Sequence, residues 1–315
     1  MITQVDIKTS IIIRVYNEEQ HIERLMHGIV NQKTPFTFEI IVVDSGSTDN
    51  TVNLALRFGA KIIHISREQF SFGASINRGI EAAQGQYCVF ISGHCYPEHE
   101  NWLTNIIRPF SDNNVALVYG KQRGNETTKY SEHRIYAKWF PDDGGGPQKS
   151  SFCNNANAAI RKDLWHAHRY NETITGLEDI DWAKDAISRG YSLYYAPDAG
   201  VIHIHNESFS QIYRRYEREA LAMRAIYPHE TFTFFDFIKL CTLNTLSDYI
   251  HAVQDAVFLK NFFKIPAMRF YQFLGTYRGY NFRQPVQDDL RYKFYYPVKP
   301  SLFNNKKGET KSTIS

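Results

Sequence analysis

Short apolar runs alternate with segments of helical spacing along the first 120 residues, and this alternation constrains the fold more than any other feature of the sequence. Apolar residues in segment 18–30, for example, recur at the three- and four-residue intervals of an amphipathic helix. Strands that alternate with helices through short connections are typical of parallel βαβ units in an α/β fold. Because such sheets bind ligands at the carboxyl ends of their strands, the residues that follow each strand are the first candidates for a site. The predicted strands are 10–16, 39–43, 61–65, 86–92 and 115–119.

The second half of the chain is less regular. The polar stretch 122–149 contains the run DDGGGP and is predicted to form a long loop or lid, because consecutive glycines resist regular structure. Two further strands are predicted at 191–195 and 201–205. Two or three helices are predicted within 231–280.

Charge and aromatic residues are distributed unevenly. Residues 231–315 contain twelve Lys and Arg against six Asp and Glu, whereas the whole chain has a net charge of only +3. That net charge is too small to indicate a nucleic acid as the main partner. Basic, aromatic helices in this part fit either a peripheral contact with an anionic membrane or an ordinary helical unit or oligomer interface with buried rings.

The cysteines and the first residues indicate the compartment. The four cysteines include no CxxC pair, and a disulfide framework is unexpected in a chain of this length, which favours a reducing environment. The start, MITQVDIKTS, lacks the charged-then-apolar plan of a secretory signal, and no run of about 18 apolar residues predicts a transmembrane helix. We therefore expect a cytoplasmic protein, either free or peripheral on the inner face of the plasma membrane.

Polar residues follow the first two predicted strands. Asn17 and Glu18 come directly after the first strand, and the turn DSGSTD, which begins at Asp44, comes directly after the second. A carboxylate at the end of a buried strand costs desolvation energy unless it has a partner, and a nucleobase N–H or a ribose hydroxyl would serve for Asp44. Asp49, in contrast, is expected to cap the following helix.

Several segments together carry a resemblance to a known family. SIIIRVYNEE, EIIVVDSGSTDNT and GLEDIDWAKDAISRGY, in this order and spacing, resemble the family 2 glycosyltransferases over residues 8–220, and are nearest in style to bacterial rhamnosyltransferase-like enzymes of surface polysaccharide assembly. The resemblance implies an α/β GT-A fold: a central, mostly parallel sheet with helices on both faces, plus a C-terminal helical extension. The domains expected on this basis are a GT-A domain at 1–228, a helical aromatic and basic region at 229–300, and a disordered tail at 301–315.

The resemblance also implies roles for individual residues. Asn17 and Glu18 match a stretch that lines the nucleotide pocket, and Asp44 matches an aspartate that contacts the base or the ribose. Asn77 and Arg78 fall in a helix segment that faces the nucleotide, with a polar helix-surface residue as the alternative for Asn77. The set expected to bind the nucleotide sugar is Asn17, Glu18, Asp44, Ser45, Ser47, Asn77, Arg78, Ser92 and His94.

The sequence departs from the family pattern where a metal is usually bound. Family members carry an Asp-x-Asp or similar acidic pair after the fourth strand, and its oxygens hold the Mg²⁺ or Mn²⁺ that neutralises the diphosphate leaving group. Ser92 and His94 occupy those positions here. Three interpretations stay open: His94 binds a borderline metal, His94 donates to phosphate without a metal, or the chain is an inactive relative.

If a metal binds, His94 and His203 are the expected ligands. On an extended strand His203 and His205 would share one face, and a hydrogen-bonded pair without metal is the alternative explanation for them. Enzyme action without a metal would need other cations to offset the diphosphate charge. The candidates for that role lie on the next predicted helix: Arg214, Arg215 and Arg218.

Two carboxylates at the start of a predicted helix are the candidate catalytic groups. Acidic residues at a helix N-terminus also act as caps, and capping alone would account for one of them. The resemblance assigns the general base to Asp179, with Glu178 orienting the acceptor or setting the base. One base opposite the leaving group implies inversion at the anomeric carbon. The segment 152–157, FCNNAN, resembles part of the family's acceptor site, with turn formation as the alternative.

The expected function is an inverting glycosyltransferase of capsule, O-antigen or exopolysaccharide biosynthesis. It would move a sugar from a nucleotide-sugar donor to a hydroxyl of a glycan or lipid-linked acceptor. The alternatives are a catalytically inactive binding relative or another nucleotide-using α/β transferase. The absence of G-x-G-x-x-G after the first strand, and of a P-loop motif, argues against a dinucleotide or P-loop enzyme.

Overall fold

A computed structural model describes residues 8–283 and Tyr295, and its α/β architecture confirms the expected fold class. The strands are β1 (Thr9–Val15), β2 (Phe38–Asp44), β3 (Lys61–His64), β4 (Tyr87–Ser92), β5 (Cys95–Pro97), β6 (Val115–Arg123), β7 (Gly146–Gln148), β8 (Asn157–Arg161) and β9 (Ser192–His203). Within the described residues they form one mixed sheet in the order β3–β2–β1–β4–β8–β6–β9–β5, and β7 pairs with β9.

Helices cover both faces of this sheet. They are α1 (Glu19–Val30), α2 (Thr51–Leu56), α3 (Phe72–Ala82), α4 (Trp102–Ile107), α5 (Tyr130–Trp139), α6 (Lys162–Ala167), α7 (Glu178–Ser188), α8 (Phe209–Ile226), α9 (Phe234–Gln254), α10 (Phe258–Asn261) and α11 (Lys264–Tyr280). Alternate residues of β1 enter opposite cores: Ile11 and Ile13 pack with α1 and α4, whereas Ile12 packs with α3. Because both faces are buried, the strand is a continuous apolar run.

The parallel half of the sheet sets the position of the site. β1 lies between β2 and β4 and runs parallel to both, so the carboxyl ends of the three strands meet at one edge. Val15 is opposite Asp44 of β2, and Arg14 is opposite Ser92 of β4. The polar residues that follow these strands are therefore neighbours in space.

The next strand runs the other way. β8 lies between β4 and β6 and is antiparallel to both. Its first residue, Asn157, is opposite Ile91 near the end of β4. The segment that leads into β8 therefore reaches the same edge of the sheet as the parallel strand ends.

The prediction of a long loop or lid at 122–149 was wrong. β6 continues to Arg123, and α5 and β7 occupy much of the remainder. The buried residues of α5 include Ser131 and Glu132, so its inner face is polar and gives a weak hydrophobic pattern. The two strands predicted at 191–195 and 201–205 are one strand, β9, whose pairing with β6 shifts register near Gly120.

Three helices, α9 to α11, follow α8, in agreement with the predicted pattern. α11 packs along α8 at close range, because a Cβ at Gly275 would lie 2.3 Å from the carbonyl oxygen of Tyr213. A buried ion pair joins α11 to α9, with Arg269 Nε 2.7 Å from an oxygen of Asp248. The domain boundary expected at 228 stays a prediction, and the tail expected at 301–315 lies outside the described residues. Across residues 8–283, every helix is too short or too polar to cross a bilayer.

Candidate active site

A cleft of about 900 Å³ opens at the edge where β1 and β4 end. The start of α7, the end of β9 and one side of α8 form its other walls. Many of the residues expected at the site line it together: Asn17, Glu18, Ser92, His94, Glu178, Asp179, His203, Arg215 and Arg218.

The loops after β1 and β2 are tied to each other. The backbone N–H of Asn17 donates to Ser47 Oγ at 2.9 Å, and the N–H of Thr48 donates to Asn17 Oδ1 at 2.8 Å. Asn17 has φ +56°, a left-handed conformation that asparagine tolerates better than most residues. These contacts hold Asn17 at the mouth of the cleft.

Asp44 finds its partners within its own loop and on β3. Its Oδ1 accepts the N–H of Ser47 at 3.0 Å, and its Oδ2 lies 3.3 Å from the N–H of Gly46 and 3.2 Å from His64 Nδ1. Asp44 is buried and is not among the residues that line the cleft, and Ser45 is buried beside it. A nucleotide contact for this loop therefore stays a prediction. Asp49 accepts the N–H of Thr51 at 3.1 Å from the position before the N-cap of α2, which is Asn50 and not Asp49 as expected.

Asn77 and Arg78 lie away from the cleft. The Asn77 amide is buried and uses all its hydrogen-bonding capacity inside the protein, donating to Tyr170 and Glu172 and accepting from Trp165 and Tyr170. The alternative of a helix-surface residue is therefore wrong for Asn77, which is 1% exposed. Arg78 extends toward Glu81, 3.8 Å away. Asn77 anchors the segment after α6 to α3.

Glu178 and Asp179 begin α7 and face the cleft. Arg14 Nη1 lies 3.0 Å from Glu178 Oε1, which fixes Glu178 against β1. Asp179 accepts the N–H of Asn155 at 2.9 Å and that of Ile180 at 2.9 Å. The contact with Ile180 is of the helix-capping kind, so capping accounts for part of the Asp179 environment but not for its position in the cleft.

The protonation of Asp179 is set by its surroundings. Burial, together with the neighbouring charge of Glu178, raises the pKa of Asp179 to about 7, although two backbone N–H groups oppose this shift. A carboxyl group with this pKa exchanges its proton near neutral pH. It is therefore matched to the work of a general base.

Three histidines meet on the opposite wall. His94 Nε2 lies 3.0 Å from His203 Nε2, and His205 Nε2 lies 2.9 Å from the same atom. Their Nδ1 atoms point outward. His94 Nδ1 lies 2.8 Å from Glu18 Oε1, His203 Nδ1 lies 2.7 Å from Gln122 Oε1, and His205 Nδ1 lies 2.8 Å from Glu132 Oε1. The sequence predicted His94 and His203 as metal ligands but not His205, although the HxH spacing predicts that His203 and His205 share one strand face.

The arginines of α8 differ in their partners. Arg215 Nη2 lies 2.8 Å from both Glu132 and Glu207, so its charge is already neutralised. Arg218 contacts the Phe72 ring, with its Cζ 4.7 Å from the centroid, and no described carboxylate lies within ion-pair distance of it. Arg214 is exposed. Arg218 is thus the cation of this helix that faces the cleft without an acidic partner among residues 8–283.

A second cavity, of about 440 Å³, adjoins the cleft and shares His203, His205 and Arg215 with it. Aromatic rings from α5, α8 and the segments beside them dominate its walls. They are Tyr136, Trp139, Phe140, Phe152, Tyr216, Phe232 and, from α11, Tyr280. This cavity suits an apolar group.

The mixed sheet, with helices on both faces and a polar cleft where its parallel strands end, has the GT-A type of fold. It superposes on a mannosyltransferase from Pyrobaculum calidifontis, solved in complex with GDP-Man and Mn²⁺, with a TM-score of 0.61 at 16% identity, over 88% of this chain and 90% of that one. Staphylococcus aureus TarS residues 1–349, solved with UDP-GlcNAc, gives a TM-score of 0.54 at 14% identity, over 90% and 95% of the two chains. At these identities the likeness concerns the fold.

The sequence comparison gives the family. The sequence model of glycosyl transferase family 2 matches residues 10–168, and the chain belongs to that family. It is 31% identical over 206 residues to the glycosyltransferase AglE of Haloferax volcanii, covering 62% of this chain and 66% of the relative. It is 31% identical over 189 residues to the O-antigen chain rhamnosyltransferase WbaN of Salmonella anatum, covering 56% and 60%. The matched part thus spans less than two thirds of each of these two relatives.

Proposed function

We propose that this protein transfers a sugar from a nucleotide-sugar donor to an acceptor hydroxyl, with inversion, in the synthesis of a cell-surface glycan. The observation that carries the proposal is the Asp179 carboxyl, which faces the cleft and has a pKa raised to about 7. A module that only binds sugars would have no need of such a group. The names of relatives such as the O-antigen rhamnosyltransferase of Salmonella anatum support the glycan assignment.

The reaction that fits this geometry is a single displacement. As the acceptor oxygen forms its bond to the anomeric carbon, its proton passes to Asp179, and the bond from that carbon to the diphosphate breaks. The nucleoside diphosphate leaves with the bonding electron pair. One base on the side opposite the leaving group gives inversion. Arg14 holds Glu178 in place, and the negative charge of Glu178 helps to raise the pKa of Asp179.

The leaving diphosphate needs positive charge nearby. Divalent metals serve this purpose in GT-A enzymes, and the converging Nε2 atoms of His94, His203 and His205 fit such an ion as ligands. A bound metal would neutralise charge on the departing diphosphate. Arg218 is the protein's own cation for the same task, because it faces the cleft and lacks an acidic partner among the described residues.

The acceptor is proposed to carry an apolar part. The 440 Å³ aromatic cavity opens beside the cleft, and His203 and His205 line both of them. A polyprenyl or other lipid chain next to the attacking sugar would bury apolar surface there. This supports a lipid-linked acceptor over a free, fully polar glycan.

An exposed apolar face supports contact with a membrane that holds such an acceptor. Phe235, Leu246, Ile250 and Val253 lie on one side of α9, each more than half exposed, and Leu259 on α10 is 88% exposed. Exposed lysines near this face suit anionic lipid, and Asp255, between α9 and α10, is an exposed carboxylate of the same region. The lysines are Lys239, Lys260 and Lys264.

Vesicle binding tests that contact. We expect the protein to sediment with vesicles containing phosphatidylglycerol, and L259E to weaken this binding. L56E, at a leucine elsewhere that is 51% exposed, should leave it unchanged. A concentration-dependent dimer that L259E dissociates, without vesicle binding, would assign the face to a second copy instead.

Donor binding and turnover test the function. A thermal-shift screen of UDP-, GDP- and dTDP-sugars should give one donor that raises the Tm, because a ligand of the folded state stabilises it. With that donor, D179N should keep the shift but lose transfer by about 10²- to 10⁴-fold. D181N changes a carboxylate two positions further along α7 that accepts from Asn171 rather than from Asn155, and this matched control should stay active. A parent protein that binds the donor but never transfers its sugar would contradict the proposal.

A further inference from the structure

We infer that His94, His203 and His205 bind one divalent transition-metal ion through their Nε2 atoms, and that this site discriminates against Mg²⁺. The three histidines alone supply the proposed ligands. Only the idea that the ion assists sugar transfer rests on the proposed function.

The proton positions follow from the partners of the rings. Glu18 and Glu132 present carboxylate oxygens to His94 Nδ1 and His205 Nδ1, and a carboxylate can only accept, so both Nδ1 atoms carry hydrogen. Gln122 likewise presents its Oε1 to His203 Nδ1. In a neutral imidazole the second nitrogen is then a bare acceptor.

With the rings neutral, three Nε2 lone pairs therefore point at one another. At separations of 3.0 Å and 2.9 Å these lone pairs repel one another unless a cation, either a shared proton or a metal ion, lies between them. Metal–imidazole bonds are about 2.0–2.1 Å, and two such bonds at a right angle separate their nitrogens by about 3.0 Å. The His94–His203 and His203–His205 separations match that value, which is also the length of an N–H···N hydrogen bond.

The surroundings also have the form of a metal site. Histidine ligands usually donate their other N–H to a carboxylate or carbonyl, which fixes the ring and its tautomer, and all three rings do so here. His203 is buried, whereas the side chains of His94 and His205 are 31% and 16% exposed toward the cleft. Three ligands from the protein and an open side are typical of a metal that meets a substrate.

The ligand chemistry determines which ions fit. Imidazole nitrogen suits Zn²⁺, Co²⁺, Ni²⁺ and Fe²⁺, whereas Mg²⁺ requires oxygen. Glu18 and Glu132 each direct one oxygen, Oε1, to a ring Nδ1, so in this arrangement they orient the histidines. A second acidic group, Glu132, His205 and Glu207, already holds the Arg215 guanidinium between its carboxylates, which excludes a metal there.

Direct metal binding tests the inference without any transfer assay. The full chain, stripped with chelator and dialysed, is titrated calorimetrically with Zn²⁺, Mn²⁺ and Mg²⁺, and Co²⁺ binding is followed by visible absorption. We expect one equivalent of Zn²⁺ or Co²⁺, weaker Mn²⁺ and no saturable Mg²⁺. H205A and the more exposed H94N should each weaken Zn²⁺ binding by at least about tenfold. H229A, at an exposed histidine outside the cleft, should bind as the parent does.

Two results would overturn the inference. One is parent protein that binds Zn²⁺ no more tightly than folded H94N, which would leave the cluster as a proton-sharing network. The other is Mg²⁺ that binds as tightly as Zn²⁺ and loses nothing in H205A. Thermal melting of each variant establishes that it is folded. If Zn²⁺ binds as expected but no donor sugar is transferred, the proposed function fails and the metal site stands.

Discussion

Arg14 Nη1 lies 3.0 Å from Glu178 Oε1, although 164 positions separate the two residues in the sequence. The contact joins the first strand of the sheet to the start of α7. It holds Glu178 beside Asp179, so that one carboxylate raises the proton affinity of the other. The basicity of the candidate base thus depends on a pair formed across the whole domain.

The rate of transfer should depend on pH through Asp179. Its pKa is raised to about 7, and only the ionised carboxylate can accept the acceptor's proton. We expect kcat to increase about tenfold per pH unit below pH 7 and to level off above it. Initial rates measured with saturating donor from pH 5 to 9 check this, and a flat profile between pH 5.5 and 8 would remove Asp179 as the base.

Replacing Glu178 with glutamine should move that profile. The charge of Glu178 raises the pKa of Asp179, and its loss also leaves the opposing charge of Arg14 unbalanced. E178Q should therefore shift the rising limb of the profile to lower pH. D181N serves as the control on the same helix, because its partner is Asn171 rather than Asp179. An unshifted limb in E178Q, with normal folding, would show that the two carboxylates are not coupled.

Asp179 should also lower the stability of the fold above neutral pH. Its folded-state pKa, about 7, is above the ordinary value of 3.8, so the folded state holds the proton more tightly than the unfolded state does. This contribution to stability is fully present below about pH 4 and is lost as the pH rises through 7. D179N removes that loss, and at pH 8 its Tm should exceed the parent's by a few degrees. Unfolding scans at pH 5 and pH 8 measure the difference, which should be larger at pH 8.

Two arginine–aspartate pairs should differ sharply in their effect on stability. Arg269 and Asp248 are 5% and 3% exposed, whereas Arg108 and Asp198 are 63% and 45% exposed. R269M leaves a buried carboxylate without its partner and should cost about 3–5 kcal/mol. R108M should change the free energy of unfolding by less than about 1 kcal/mol. Urea titrations of both variants compare them, and equal losses would mean that burial does not govern these pairs.

The parallel half of the fold was predictable from sequence because its strands are buried on both faces. Ile11, Ile12 and Ile13 each face one of the two cores, so β1 is a continuous apolar run that the sequence displays directly. α5 was not predictable in this way. Its inner face carries Glu132, whose partners Arg215 and His205 come from α8 and the segment after β9. A polar inner face resembles a loop in sequence.

The site was predictable where the residues follow strands and not where distant segments supply the partners. Ser92, His94 and Asp179 reach the cleft because strand ends and helix starts place them there. Asn77 does not reach the cleft, because its side-chain amide is hydrogen-bonded to residues within 165–172. No local sequence pattern predicts these hydrogen bonds. His205 was not among the predicted ligands, and the partner that orients its ring, Glu132, lies 73 positions away in the sequence.

Because β8 runs opposite to β4 and β6, the sheet edge at the cleft holds the start of one strand beside the ends of others. Strands that end at an edge offer carbonyl oxygens there, whereas one that begins there offers amide hydrogens, and the N–H of Asn155 is such a group. It anchors Asp179 to the rigid centre of the molecule instead of to a surface segment. The position of the Asp179 carboxylate relative to the sheet is therefore set by the main chain that leads into β8, and not by the side chains of surface loops.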